Sequence, residues 1–140
     1  MTIKEAALIH SIIEEEIDKK RFDDDITIKE RLNRILRQGI SNASIEDLGL
    51  ISSIIQEKGQ RYKKEYFDIK KAYDKALEDY KTLENGISER DPDEFGGKFR
   101  DAKEIGTYGN YCIKVIKLMD KMSEAKRKYK EYEEAMNIEF

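Results

Sequence analysis

Residues 45–83 read IEDLGLISSIIQEKGQRYKKEYFDIKKAYDKALEDYKTL, and this stretch carries an unbroken heptad repeat. One core position holds Ile45, Ser52, Gly59, Tyr66, Tyr73 and Tyr80, and the second holds Leu48, Ile55, Tyr62, Ile69, Ala76 and Leu83. A second series near the C-terminus has Tyr108, Val115, Met122, Tyr129 and Met136 interleaved with Tyr111, Leu118, Ala125 and Tyr132. Since each segment has one apolar seam at helical spacing, we predict an all-α fold built on a long antiparallel, coiled-coil-like hairpin.

Two shorter helices are predicted before the hairpin. The spacing of a capping box, in which two side chains satisfy backbone N–H groups at a helix start, occurs at Thr2 with Glu5 and at Thr27 with Glu30. Isoleucines and leucines at helical spacing follow each box. We therefore predict an N-terminal headpiece of two helices over residues 1–40.

Cap residues set the predicted limits of the long helices. Ser44 is a good N-cap, and Gly86 with the preceding asparagine offers a left-handed stop, so the first long helix is predicted over residues 44–84. Residues 85–106 contain the only proline and several glycines, and we interpret them as a linker rich in Gly and Asp. The second long helix is predicted over residues 107–137.

Length and composition favour one charged helical domain over residues 1–140. Charged residues make up 41% of the chain, with one proline and no tryptophan, which is typical of helical proteins with thin cores rather than of β-sandwiches. Lys and Arg total 27 against 30 Asp and Glu, so the net charge is -3. This balance does not favour long-range attraction to nucleic acid or anionic lipid.

Cysteine count and hydropathy indicate the compartment. Cys112 is the only cysteine, which excludes an internal disulfide and a thiolate zinc cluster. The first twenty residues contain no apolar run of signal-peptide length, and nothing approaches the ~20 apolar residues of a membrane span. We expect a cytoplasmic protein that does not enter a membrane.

The heptads also predict how the two long helices align. In the favoured register, opposite charges flank the seam, and the seam glycine Gly59 is the point where the two headpiece helices pack across the hairpin. Exposed pairs of this kind are worth only ~0.2 to 1 kcal/mol, so they select an alignment more than they stabilise it. The predicted pairs are Asp79 with Lys114, Glu65 with Lys128 and Lys63 with Glu133.

All eight tyrosines fall on the two seams. Aromatic side chains can serve as stacking platforms for nucleic acid or as contacts in binding surfaces. Tyrosine at a seam can also bury its ring and keep its hydroxyl at the wet edge. The heptad spacing throughout favours packing. The residues are Tyr62, Tyr66, Tyr73, Tyr80, Tyr108, Tyr111, Tyr129 and Tyr132.

No residue pattern indicates catalysis, a metal or a cofactor. His10 is the sole histidine, lies between apolar positions of the first helix and has no nucleophile beside it by spacing, so we interpret it as a core-edge residue. Acidic clusters are interpreted as solvated linkers or faces, since none completes a calcium loop or a di-iron motif. These clusters are Asp23 to Asp25, Glu14 to Glu16, and Asp91, Asp93 and Glu94. We expect no enzymatic activity and no cofactor.

A stripe of arginines on the second helix supports an alternative function. Arg31, Arg34 and Arg37 recur every third residue, which would suit a helix that meets phosphate or a nucleic-acid groove. Salt bridges to the acidic end of the first helix explain the stripe equally simply. Nucleic-acid binding through these arginines is kept as the alternative hypothesis.

Protein binding is the leading functional hypothesis. Long helices offer an extended surface, and the chain lacks the mixture of Gly loops, His and carboxylates that forms a substrate pocket. Phe95, Phe99 and Arg100 lie in the polar linker and form the candidate partner contact, or else cap the end of the hairpin. We expect an adaptor, inhibitor or assembly factor, and the same heptads leave a homodimer open. The basic residues of the last helix are interpreted as a solvated face, with contact to an acidic partner as the alternative.

Overall fold

The computed structural model describes residues 1–19, 26–94 and 96–140. Within these ranges it has four α-helices and no strand, and helix accounts for 84% of the described residues. The elements are α1 (Ile3–Lys19), α2 (Ile26–Gln38), a 3₁₀ turn (Ile40–Asn42), α3 (Ile45–Ser88) and α4 (Ala102–Met136). The two long helices pack against each other. The predicted all-α hairpin with an N-terminal two-helix headpiece is confirmed.

Two of the predicted helix starts have their caps in place. Thr2 N–H donates to Glu5 Oε1 at 3.0 Å, and Glu5 N–H donates to Thr2 Oγ1 at 3.1 Å, which completes the capping box of α1. Asp47 N–H donates to Ser44 Oγ at 3.1 Å at the start of α3. The third prediction is wrong, because α2 begins at Ile26 and Thr27 therefore lies inside the helix.

The first long helix runs past its predicted end. It continues to Ser88, so the predicted range 44–84 is too short. Gly86 does not stop the helix, since within the described ranges only Gly39 and Gly96 adopt positive φ. A glycine near a helix end ends it only when its backbone enters the left-handed region.

The second long helix begins earlier than predicted, at Ala102 rather than near residue 107. Asp101 Oδ1 accepts a hydrogen bond of 2.8 Å from Glu104 N–H and so caps the helix. The carboxylate of Glu104 in turn accepts from the backbone N–H of Arg100 at 3.0 Å. The spacing of Asp101 and Glu104 is typical of a helix start, but the glycines nearby led to the prediction of a linker here. The connection between the long helices is therefore residues 89–101, and the predicted linker 85–106 is wrong at both ends.

The chain divides into two compact units, Met1–Lys63 with Lys128–Phe140, and Lys64–Arg127. The prediction of a single domain over residues 1–140 stays a prediction. None of the helices in the described ranges has an apolar stretch long enough to cross a bilayer.

The core of the first unit is formed by isoleucines, a leucine and a tyrosine from all four helices. Helix α1 contacts α2 and the 3₁₀ turn, while the rings of Tyr62 and Tyr132 meet at 4.9 Å between centroids. Tyr132 is fully buried, so its ring packs as predicted, but its hydroxyl is buried too and does not lie at the wet edge. The most buried large side chains are Ile9, Ile12, Leu32, Ile35, Ile51, Ile55 and Tyr132.

Gly59 packs against α4. A Cβ at Gly59 would lie 2.7 Å from Sδ of Met136, so that methionine occupies the space left by the glycine. Helix α1 meets α3 at the neighbouring residue, where Glu16 lies 3.7 Å from Nζ of Lys58. The prediction that both headpiece helices pack across the hairpin at Gly59 stays a prediction. Glu133 pairs with Lys130, and a hydrogen bond from Tyr129 is the main cause that lowers its pKa, so the predicted pairing of Lys63 with Glu133 stays a prediction.

In the second unit the seam is thinner. Ala76 and Ile87 are buried, and the seam tyrosines Tyr66, Tyr73 and Tyr111 are half-buried. The ion pairs of residues 64–94 and 96–127 do not include the predicted one between Asp79 and Lys114, and both side chains are exposed. Weakly held surface charges do not fix a register by themselves.

Candidate functional site

The acidic side chains of α1 are engaged inside the first unit. Glu16 is 5% exposed and lies 3.7 Å from Nζ of Lys58. Glu15 pairs with Lys128, whose ammonium also lies 5.6 Å from the ring centroid of Tyr62. The interpretation of this cluster as a solvated face is wrong, and Lys128 has a partner that the register argument did not include.

The arginine stripe of α2 meets a carboxylate from α3. Asp47 is 4% exposed, and its Oδ1 accepts hydrogen bonds of 2.8 Å from Arg31 Nε and 3.1 Å from an Arg34 terminal nitrogen. The hydrogen bond from Arg31 is the main cause that lowers the pKa of Asp47, and the charge of Arg34 adds to it. Two arginines of the stripe thus form salt bridges to α3. Arg37 is exposed.

A cleft of about 670 Å³ lies over these arginines. Its three guanidinium groups are matched by three carboxylates, so it does not present the basic surface that phosphate binding favours. Nucleic-acid binding through Arg31, Arg34 and Arg37 stays an untested hypothesis. The lining residues are Thr27, Glu30, Arg31, Arg34, Arg37, Ser44, Glu46 and Asp47.

Two of the three candidate partner-binding residues, Phe99 and Arg100, lie within the described ranges. Phe95 lies outside them. Phe99 is half-buried and meets the ring of Tyr108 edge-on, with 5.5 Å between centroids, which is the capping arrangement kept as an alternative above. Arg100 has an exposed side chain, while the neighbouring Glu104 pairs with Arg90. The assignment of Phe95, Phe99 and Arg100 to a partner stays a prediction.

A chain of hydroxyl groups links α3 to the first turns of α4. Tyr80 Oη lies 2.9 Å from Tyr108 Oη, and Tyr108 donates to Glu84 Oε2 at 3.0 Å. Hydrogen bonding to Glu84, and then to Tyr108 and Cys112, raises the pKa of Tyr80. Because the phenol keeps its proton more firmly than usual, the cluster is suited to holding two helices together rather than to base catalysis.

The remaining polar candidates are placed on the surface. His10 is exposed and lies 3.4 Å from Glu14 one turn along α1, so its interpretation as a core-edge residue is wrong. Asp93 accepts a hydrogen bond of 2.9 Å from Gly97 N–H and so serves the turn that contains it. Among the residues that the structure describes, no group of three or more His, Cys, Asp or Glu is placed to hold a metal. The cluster Asp23 to Asp25 lies outside the described residues.

An apolar stripe faces solvent on α4, on a side of the helix away from the seam. We call Ile105, Ile113, Ile116 and Met119 the α4 stripe. Their exposed fractions are 53%, 50%, 54% and 43%. At 100° per residue these positions fall within an arc of about 120°, so they share one face of the helix, which also contains the exposed Asp120. Soluble proteins rarely leave such a surface uncovered unless something binds it.

The α4 stripe is not part of the predicted seam, because its residues lie on a second face of the helix. The spacing from Ile105 to Gly109, Ile113 and Ile116 was a usable signal, since those steps of four, four and three residues follow a second face of the same helix. Helix α4 is thus apolar on two faces, of which the hairpin covers one.

Four exposed lysines lie on the side of α4 between the α4 stripe and the seam, Lys103, Lys114, Lys117 and Lys121. At 100° per residue Lys117 is about 40° from Ile113, the nearest residue of the stripe, and the other three are roughly 80–100° from it. None of the four takes part in an ion pair with another residue in the described ranges.

Comparison with protein-family models, curated proteins and solved structures finds no match to this chain. The function proposed below is therefore inferred from the α4 stripe and its surroundings.

Proposed function

We propose that the protein is a non-enzymatic helical binding protein, and that α4 is the surface to which a macromolecular partner attaches. The observation that carries this proposal is the α4 stripe, four large apolar side chains that are each about half exposed along one helix face. Adaptors, inhibitors and assembly factors are the roles that fit such a surface.

The energetics of the stripe favour a covered state. Fully burying a side chain of this size contributes roughly 1.5–3 kcal/mol, so covering the exposed half of each would contribute on the order of 1 kcal/mol per residue. A few anchors of this kind at the centre of a contact commonly supply most of a binding energy. Scattered single hydrophobic residues such as Ile45, which is 88% exposed, need no such explanation.

The test compares partner capture by matched variants of the full chain. The stripe variant carries Ile113→Glu with Ile116→Glu, which puts two charges in the centre of the surface without touching the seam. The control is Ile45→Glu, which adds a carboxylate at an exposed isoleucine in the first turn of α3, where the helix dipole tolerates it.

Each tagged variant is used to capture proteins from the native host, and the captured proteins are identified by mass spectrometry. We expect the wild-type chain and Ile45→Glu to retain the same protein and the stripe variant to lose it. Circular dichroism checks that the helical content of all three chains is equal. If the stripe variant retains every protein that the wild-type chain retains, the proposal is wrong.

A further inference from the structure

We propose that Met136 is an oxidation site, and that a peroxide which converts its thioether to a sulfoxide loosens the packing of the end of α4 on α3. Helix α4 ends at Met136, and this end belongs to the first unit. The α4 stripe lies in the second unit, so the two sites are separate. Three features support an oxidation site: the contact with Gly59, the partial exposure of Met136 and the burial of its neighbours.

The thioether of Met136 lies directly against the backbone of α3. A Cβ at Gly59 would lie 2.7 Å from Sδ, 3.0 Å from Cε and 3.3 Å from Cγ, so the end of the methionine side chain fills the place of a side chain at Gly59. Gly59 lies in the interior of α3, where backbone N–H and C=O groups bond within the helix. Since these groups are already used, the contact suits an apolar thioether and not a polar sulfoxide.

Met136 is also open enough to react. Its side chain is only partly buried, and as the last residue of α4 it lies where helices fray. A cleft of about 210 Å³ lies at the same end of α4, with Leu8 of α1 and Ile138 among its lining residues. The end of α4 therefore has room to move, and this motion gives a small oxidant such as hydrogen peroxide access to the sulfur.

The reaction transfers one oxygen atom to the sulfur. A lone pair of Sδ attacks one oxygen of hydrogen peroxide, the O–O bond breaks as the S–O bond forms, and the second oxygen leaves as water. The sulfur thus loses the two electrons that the peroxide gains. Methionine sulfoxide reductases reverse the change, in which two thiols are oxidised to a disulfide and the sulfoxide oxygen leaves as water. A reversible change of this kind is suited to regulation.

Oxidation removes packing that several buried residues share. A sulfoxide is polar, and burying it without a hydrogen bond is unfavourable, so the oxidised side chain turns toward water and leaves the space over Gly59 empty. Ala135 and Ile138 are 1% and 8% exposed, and the fully buried Tyr132 lies one turn earlier on α4. Because these residues belong to the same end of the helix, its release exposes apolar surface.

The other methionines lack this contact and provide controls. Met119 is 43% exposed on the α4 stripe, and Met122 is a partly buried residue of the seam in the second unit. All eight glycines lie within the described ranges, and only Gly59 has a methionine among the atoms nearest to the place of a Cβ. Oxidation of Met119 should therefore change the surface without changing the packing.

The experiment compares two full-length chains that each keep one methionine of α4. The first carries Met119→Leu with Met122→Leu and keeps Met136, whereas the second carries Met122→Leu with Met136→Leu and keeps Met119. Leucine has a similar volume to methionine and forms no sulfoxide. Each folded chain is treated with hydrogen peroxide until mass spectrometry of its peptides shows a complete sulfoxide, and catalase then removes the peroxide. Urea unfolding measures stability, and hydrogen exchange locates any opening.

We expect oxidation of the chain that keeps Met136 to raise its equilibrium constant for unfolding about tenfold. Hydrogen exchange should become faster in residues 129–138 of the same chain. Treatment with the two methionine sulfoxide reductases, one for each epimer, should reverse both changes. The chain that keeps Met119 should show neither change when its sulfoxide is complete.

Three results would overturn the assignment of Met136. The first is a complete sulfoxide at this position with no change in stability or in hydrogen exchange. The second is an equal loss of stability in both chains, because the contact with Gly59 would then not matter. The third is a Met136 that reacts with peroxide only in urea, because the folded chain would then keep the oxidant out.

Discussion

Asp47 lies in the first turn of α3, where its buried carboxylate accepts hydrogen bonds from Arg31 and Arg34 of α2. These bonds connect residues of two different helices that are thirteen and sixteen positions apart in sequence. The pairing uses two of the three charges that made the arginine stripe look like a nucleic-acid surface. The sequence marked Asp47 only as part of a helix start, yet its bonds to Arg31 and Arg34 weaken the case that α2 binds nucleic acid.

The lowered pKa of Asp47 predicts how its contribution to stability depends on pH. A carboxyl group whose pKa is lower in the folded state than in the unfolded chain stabilises the fold above its unfolded pKa, here the ordinary value of 3.8. That contribution disappears as the pH falls through the lower folded pKa. Asp47→Asn should therefore reduce the free energy of unfolding at pH 7, and the difference from wild type should shrink below about pH 3.8.

Urea unfolding between pH 7 and pH 3 measures this difference. The control is Asp68→Asn, since Asp68 is exposed on α3. A gap between wild type and Asp47→Asn that stays constant as the carboxyl groups titrate would contradict the account of the Arg31 and Arg34 bonds.

At the scale of the helices, local sequence signals predicted more than long-range ones. The seam heptads located the two long helices, and the cap residues at Thr2 and Ser44 form the predicted bonds. The early start of α4 was also encoded locally, in the spacing of Asp101 and Glu104, but the glycines beside it suggested a loop. Local spacing therefore contained most of the fold.

The parts that could not be predicted depend on which elements meet in space. Nothing in the spacing of Glu15 or Asp47 states that one will reach Lys128 and the other Arg31. The α4 stripe could be predicted from the sequence only in part. Its spacing was visible in the sequence, whereas its exposure depends on which face of α4 the hairpin covers.

Two glycines of α3 test the packing of the long helices. Gly49→Ala should stabilise the protein by roughly 1 kcal/mol, because its Cβ would meet nothing within 4 Å and alanine is the better helix former. Gly59→Ala has the same helix gain, but its Cβ would lie 2.7 Å from Sδ of Met136. We expect it to be less stable than Gly49→Ala by up to about 1 kcal/mol, the low end of the usual cost of overpacking, because the flexible thioether of Met136 can move aside.

Denaturant unfolding of the single variants and of Gly59→Ala combined with Met136→Ala completes this test. Removing the methionine side chain should abolish the penalty of the alanine at position 59, which is a coupling between neighbouring sites. If Gly59→Ala stabilises the protein as much as Gly49→Ala does, Gly59 is not the place where α4 packs on α3.

At the scale of the whole molecule, the two compact units differ in what they contain. The first unit contains the isoleucine core and the buried ion pairs, and the second contains the thin tyrosine seam and the α4 stripe. The surface on which the proposed function depends therefore lies in the second unit. The cytoplasmic location and the oligomeric state stay predictions.

The central claim is that a partner protein covers the α4 stripe. Site-specific photo-cross-linking in the native host tests it most directly, with a photoreactive amino acid placed at Ile116 in one full-length chain and at the exposed control position Ile45 in another. The account predicts a covalent adduct with a second, different protein from position 116 and none from position 45. Adducts of equal yield from both positions, or no adduct from position 116, would contradict it.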